Sequence, residues 1–361
     1  MSFNSTATPS IDLRPLSAGQ LFDRALRLYR NNFLTFVGII ALTQIFIVAA
    51  NVVLILLAPA PEVPLTGTSL DDNPFWNFVQ SFSQASSSSS VFGTYVVGFI
   101  SWALTVIGGA ALTRAAFDAY FGNPGTIMDG YRKMKGAWWT LLGATFISGL
   151  VGSLLSLWWI FIPLVGWFTG LGMIIFYSLV VYPFMTPIVI VEDREATQAL
   201  PRALELGQRR FWWFIGFLLL LGIFSQVIVT APTLLVVGGV EAIFGSDLSP
   251  LMSTIIYQTI QLLFNIIYVP IQLTCILLLY LDVRVRTEGL DLALKTNMDV
   301  NDVSPKEPTT IAAEAPSITS GYFPGRENLK LYLFLTLICY GVYLGIVAII
   351  TLFGIMFSSL G

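Results

Sequence analysis

Residues 24–40 read RALRLYRNNFLTFVGII and residues 202–218 read RALELGQRRFWWFIGFL. Seven of the seventeen aligned positions are identical: Arg24/Arg202, Ala25/Ala203, Leu26/Leu204, Leu28/Leu206, Phe33/Phe211, Phe36/Phe214 and Gly38/Gly216. Each copy joins an amphipathic stretch to a long apolar one. In the first, Ser17 and Gln20 have the spacing of a capping box, which starts a helix. On that helix Leu21, Phe22, Ala25, Leu26, Leu28 and Tyr29 share one arc, opposite Asp23, Arg24, Arg27, Arg30 and Asn31. Such a helix lies along a membrane surface, apolar side down. In the second copy Ala199, Leu200, Ala203, Leu204 and Leu206 oppose Arg202, Glu205, Gln208 and Arg209. A weaker copy, TIMDGYRKMKGAWWTLLG over 126–143, aligns Trp138 with Phe33 and Gly143 with Gly38.

The chain of 361 residues is 55% hydrophobic and only 11% charged, where a soluble domain carries roughly 25% charged residues. Its apolar residues come in seven blocks, roughly 33–59, 91–116, 137–161, 163–191, 211–235, 251–281 and 329–358. Each is long enough for a bilayer core of about 30 Å. The expected fold is an all-α polytopic membrane helix bundle with seven transmembrane helices. Six spans form three repeats of an interfacial amphipathic helix plus two spans, and one extra C-terminal span follows. The second span of each unit closes in a short charged exit: TRAAFDAY (113–120), VEDRE (191–195) and LDVRVR (281–286). The domain reading is a tail over 1–12, a six-span body over 13–295, a linker over 296–328 and a C-terminal helix over 329–361. The polar start followed by a long apolar block does not read as a cleaved signal peptide.

Charge sets the expected topology. With the N-terminus cytoplasmic and the blocks alternating, all 18 Lys and Arg fall inside together with 16 acids, and the outer loops hold only Glu62, Asp71, Asp72, Glu241 and Asp247. This is the positive-inside pattern. It predicts a multi-pass protein of the cell (inner) membrane with its C-terminus extracytoplasmic. The basic face suits anionic headgroups, so Arg24, Arg27, Arg30, Arg202, Arg209 and Arg210 are the expected lipid-headgroup contacts. It gives no reason to expect nucleic-acid binding. Trp138, Trp139, Trp158, Trp159, Trp167, Trp212 and Trp213 flank the blocks as interfacial belts do. In the outer loop, Phe75–Val79 reads as an aromatic patch resting on the interface.

The segments RPLSAGQLFDRALRLYRNNF (14–33), RALELGQRRFWWFIG (202–216) and LYLDVRVRTEGLDLAL (279–294) resemble the membrane-domain family of glycerophosphoryl diester phosphodiesterase, over roughly residues 13–295. The resemblance implies an integral membrane fold. It also implies that catalysis in enzymes carrying this domain belongs to a separate soluble barrel, which uses histidines and metal-binding carboxylates. This chain has no histidine and no soluble segment of barrel length.

Without imidazole, zinc-protease helices, Ser-His-Asp triads and His-ligated haem or chlorophyll are not expected. No phosphate-loop motif occurs. Cys275 and Cys339 read as packing residues within spans. The carboxylate pairs Asp71/Asp72 and Glu192/Asp193 read as solvated loop charge. No catalytic residue, metal site or cofactor is therefore expected. One polar feature stands out in the sixth block: Gln258, Gln261, Asn265, Tyr268 and Gln272 share a helix face, and Gln44 and Asn51 share one in the first. Amides in lipid need partners and should face the bundle interior. They either lock helices together or line a polar path. Pro183, Pro187 and Pro270 read as kinks, and Pro232 as the end of the fifth span. The last span either packs on its own bundle or docks another membrane protein through Gly341, Gly345 and Ala348. The expected function is a non-catalytic structural or accessory subunit of a membrane assembly, with lipids and other subunits as partners. The alternative is a lipid- or small-solute-handling transporter or channel.

Overall fold

A computed structural model describes residues 16–57, 91–134, 136–162, 164–244, 250–300, 308–314 and 326–358. The Asp71/Asp72 pair and the Phe75–Val79 patch lie outside these residues. The helices are α1 (Ala18–Asn31), α2 (Phe33–Leu57), α3 (Val91–Tyr120), α4 (Ile127–Lys133), α5 (Trp138–Phe161), α6 (Val165–Phe176), α7 (Tyr182–Val191), α8 (Ala196–Arg209), α9 (Phe211–Ser225), α10 (Ala231–Phe244), α11 (Pro250–Glu288), α12 (Leu290–Val300), α13 (Pro308–Glu314) and α14 (Arg326–Ser358). No strand occurs among the described residues. Six stretches are long and apolar enough to cross a membrane: Phe33–Val53, Tyr95–Tyr120, Trp138–Phe161, Val165–Val191, Phe211–Val240 and Ile255–Glu288. The apolar segment of α14, Leu329–Gly345, is shorter.

Two spans are continuous through a π turn. Tyr177–Val181 links α6 to α7, and Gln226–Thr230 links α9 to α10. Each lies just ahead of a proline, Pro183 or Pro232. A proline offers no N–H to the carbonyl four residues back and crowds it with its ring. A wider turn there gives the ring room. Pro232 therefore does not end its span, as the sequence suggested, because the π turn lets the helix continue to Phe244.

The amphipathic helices sit against protein. The expected Ser17/Gln20 capping box starts α1, and its apolar face, Leu21, Ala25 and Tyr29, is fully buried against α11. Phe22 stacks on Phe224 of α9 at 4.6 Å. In the same way α4 packs on α3, and α8 on α7. Each contact is fastened by a carboxylate from a charged span exit. Asp118 at the end of α3 takes Lys133 of α4 at 2.7 Å. Glu192, just past α7, takes Arg202 of α8 at 3.0 Å. Asp282 near the end of α11 accepts the Leu16 N–H, ahead of α1, at 2.8 Å. At Gly207, α8 presses on the first π turn so closely that a Cβ would meet Val180 Cγ1 at 1.7 Å.

The last helix packs on its own bundle. Tyr332, Leu335 and Thr336 of α14 are buried against α6. The Gly172 N–H donates to Thr336 Oγ1 at 2.8 Å, and Trp159 Nε1 reaches Tyr340 Oη at 3.5 Å. Gly341, Val342, Tyr343 and Leu344 beyond this contact are exposed. Gly341 and Gly345, the small residues expected to mediate docking, approach nothing within 4 Å. The glycine at the packing contact of α14 with its own bundle is Gly172, where a Cβ would meet the Tyr332 carbonyl oxygen at 1.9 Å. Gly172→Val is therefore expected to detach α14 and cost about 1–3 kcal/mol, as overpacking does. Thermal unfolding in detergent and the loss of a W159C/Y340C cross-link formed with a bifunctional maleimide measure both effects.

Candidate functional site

Two features lie side by side along α7 and α11: a network of buried charges at the charged ends of these helices and a cavity one helical turn further into the bundle.

The network begins at Glu192, whose side chain is 1% exposed. Arg202 Nε donates to both its oxygens, at 3.2 and 3.0 Å. Tyr280 Oη donates to Glu192 Oε1 at 2.7 Å. The other side of the Arg202 guanidinium grips Glu288, with Nη2 at 2.7 Å from Oε2 and Nη1 at 2.6 Å from Oε1. Arg284 Nε donates to Glu288 Oε2 at 2.9 Å and lies 3.7 Å from Glu192 Oε1. Arg284 Nη1 donates to Tyr280 Oη and, at 3.0 Å, to the Ala312 carbonyl of α13. Two guanidinium groups thus face two carboxylates, with Arg194 and Glu205 at the margin. Burial alone would lower the Arg202 pKa, but Glu288 and Glu192 beside it hold it above the ordinary arginine value. The carboxylates need the arginines equally, since an ion removed from water is tolerable only when paired and hydrogen-bonded.

This overturns two expectations. Glu192 is not solvated loop charge, and Arg202 is not a headgroup contact, being 4% exposed within the protein. The helical wheel rightly put Arg202 on the polar arc of α8. That arc, however, faces the charged exits of α7 and α11 rather than water. The signal was the run of opposite charges at those exits, Glu192, Arg284 and Glu288. The other five basic residues are placed differently. Arg24 Nη1 donates to Tyr120 Oη at 2.9 Å. Arg27 is exposed and paired with Asp23, and Arg30 is exposed. Arg209 pairs with Glu205 at 3.2 Å. Arg210 lies over the Trp213 ring at 5.6 Å.

The cavity has a volume of about 360 Å³ and is bounded by α2, α3, α5, α7 and α11 together with the first π turn. Its polar lining is Thr43 and Gln44, Thr105 and Thr113, Thr145, Ser178, Tyr182, Thr186 and Gln272. No charged side chain lines it among the described residues. Four of these hydroxyls have already donated their protons to their own helices: Thr43 to Ile40 O, Thr105 to Ser101 O, Thr113 to Gly109 O and Thr145 to Leu141 O. A carbonyl can only accept, so the oxygens of these threonines offer lone pairs.

The expected polar faces are only partly joined. Gln44 and Gln272, from different spans, meet at the cavity. Tyr268 turns to α9, where its Oη donates to the Leu221 carbonyl at 2.6 Å. Asn51 Nδ2 donates to Ile47 O within its own helix at 2.8 Å. Gln258, Gln261 and Asn265 are half-buried on the earlier stretch of α11 and do not line the cavity. A helix of 39 residues changes neighbours along its length, so one face meets several environments. The network pins the same two helices that form much of the cavity wall. Ile276 and Leu277 line the cavity, and Tyr280 is the next turn of α11. The remaining lining residues, Thr43, Thr105, Thr113, Thr145, Ser178, Tyr182 and Thr186, stood out in the sequence only as ordinary span hydroxyls.

Removing one charge should strand its partners. Arg202→Met is expected to destabilise the protein by about 3–5 kcal/mol. Adding Glu192→Gln should give a combined loss well below the sum of the single losses, because both residues belong to one network. Denaturation of the three variants in detergent provides the comparison.

Residues 149–311 match the family model of the membrane domain of glycerophosphoryl diester phosphodiesterase. The matched segment starts later and ends further on than the residues that carried the resemblance in the sequence. It contains the charged side chains of the ion network and only the start of α13, whereas α2, α3 and the Thr145 wall of the cavity precede it. No curated protein and no solved structure matches the chain.

Proposed function

We propose that this integral membrane protein is non-catalytic and handles a lipid or small solute, holding it in the cavity between α2, α3, α5, α7 and α11. The observation that carries this reading is the cavity lining: amides and hydroxyls inside an apolar bundle, with no charge among the described residues. A concave site with a few convergent polar groups is the usual form of a small-molecule site. Transport coupled to ions or protons normally leaves an ionisable group within the spans. The buried ions here are paired with one another, so a binding or shielding role fits better than a coupled pump. The matched family segment is a membrane domain, in keeping with a chain that binds without catalysing. The architecture is read as three units of amphipathic helix plus two spans, each amphipathic helix resting on the closing span of another unit, with α14 as an added seventh span. On this reading the basic ends and the N-terminus face the cytoplasm of a cell membrane, with the C-terminus on the other side.

Native mass spectrometry from mild detergent tests the reading. A small-molecule adduct is expected on the wild type and should be lost in Gln44→Leu/Gln272→Leu, while gel filtration and circular dichroism stay unchanged. An adduct-free wild type, or an adduct indifferent to both substitutions, counts against it.

The subunit reading has its own observation: α14 packs through Tyr332, Leu335 and Thr336 and, among the described residues, presents Gly341–Leu344 outward. A stoichiometric second chain in the same spectra, lost when the exposed positions Val342 and Tyr343 are changed to Ala, would favour it.

A further inference from the structure

A second space adjoins the cavity. An apolar groove of about 330 Å³ runs between α3 and α5, lined by Phe99, Trp102, Phe146 and Leu150, and shares Thr145 and Tyr182 with the cavity. Phe99, Phe146 and Leu150 are exposed on the lipid-facing surface of the bundle. A largely apolar cavity with a few polar groups thus adjoins an apolar groove on the outer surface of the bundle. That is the shape of a site for one amphiphile, with its headgroup inside and its chain extending out between two spans.

The chemistry of the chamber narrows the headgroup. No arginine or lysine lines it, and an unpaired phosphate in such surroundings would carry the heavy cost of a buried ion. The proton-spent oxygens of Thr43, Thr105, Thr113 and Thr145 ask for hydrogen-bond donors, and the Gln44 and Gln272 amides can both give and take. A hydroxyl group can donate to one of these oxygens and accept from an amide N–H without bringing a charge. We infer that cavity and groove together form a binding site for a neutral lipid with a hydroxyl headgroup, of the diacylglycerol type. This rests on the ligand-holding reading above and specifies its ligand class.

The test is photo-cross-linking in phosphatidylcholine vesicles containing a diacylglycerol with a diazirine in one acyl chain. Labelling is expected to concentrate on peptides containing Phe99 and Trp102 and on those containing Phe146 and Leu150, above the exposed face of α14, and to be competed by unlabelled diacylglycerol. Gly149 lines the groove and a Cβ there would meet no atom within 4 Å. Gly149→Phe should therefore fill the groove without a clash in the fold. It should lower the labelling about fivefold or more, the equivalent of roughly 1 kcal/mol. Thr145→Val, similar in shape, removes an acceptor and should do the same. Equal labelling by a diazirine phosphatidylglycerol of the same chains would overturn the neutral-headgroup assignment. Abolition of labelling by free glycerol would overturn the chain half of the site. Labelling spread evenly over the lipid-facing helices, or unchanged by Gly149→Phe, would overturn the groove. The first two of these results leave the ligand-holding reading standing, whereas an adduct-free wild-type protein removes that reading itself.

Discussion

Two arginine side chains, Arg202 and Arg284, are buried where the ends of α7 and α11 meet the middle of α8, and this single demand organises the body of the protein. A guanidinium out of water must find carboxylates with good geometry, or the fold loses several kcal/mol. Glu192 and Glu288 meet the demand from different elements, one following α7 and one ending α11, while Arg202 comes from α8. Satisfying the charges therefore fixes three helices relative to one another. The spare Arg284 donor then binds the Ala312 carbonyl and draws in α13. Apolar helices in lipid gain little by choosing one apolar neighbour over another. Directional ion pairs at their ends supply the register that hydrophobicity leaves open.

The same device occurs in lighter form elsewhere. Asp118 holds α4, and Asp282 holds the start of α1 through the Leu16 N–H. In each case a carboxylate at the end of a spanning helix captures an amphipathic helix. The third contact joins the end of the six-span body to its beginning, since Leu16 and Asp282 are separated by most of the chain. Arg286, paired with Asp282, also donates to the Leu16 carbonyl at 2.6 Å, so both backbone polar groups of that residue are engaged. Helices held at their charged ends can leave space further along, where prolines and the first π turn keep α6 and α7 from packing uniformly. The cavity lies in that stretch, against Ser178, Pro183, Thr186 and Pro187.

Much of this was legible in the chain. The apolar blocks announced six of the spans, because length and hydropathy follow from bilayer thickness alone. The Ser17 cap and the apolar arc of α1 followed from local spacing, but that arc rests on α11 rather than on the membrane surface the sequence suggested. Periodicity did not say what each face meets. The Gln258–Gln272 stripe is one face by register, yet only Gln272 reaches the cavity, because α11 passes different neighbours along its length. Arg202 and Arg24 occupy equivalent positions in the repeated pattern, yet one is enclosed between carboxylates and the other reaches Tyr120.

What the sequence determined by itself was helicity, membrane character and the position of each amphipathic face, since these depend on local spacing and on the cost of exposing backbone in lipid. The tertiary structure decided which polar groups became neighbours. Glu192 and Glu288 are separated by 96 positions, and Gln44 and Gln272 by 228. No local pattern relates such positions. They meet because opposite charges at helix ends align the spans, and that alignment brings together a buried ion network and a neutral, acceptor-lined cavity.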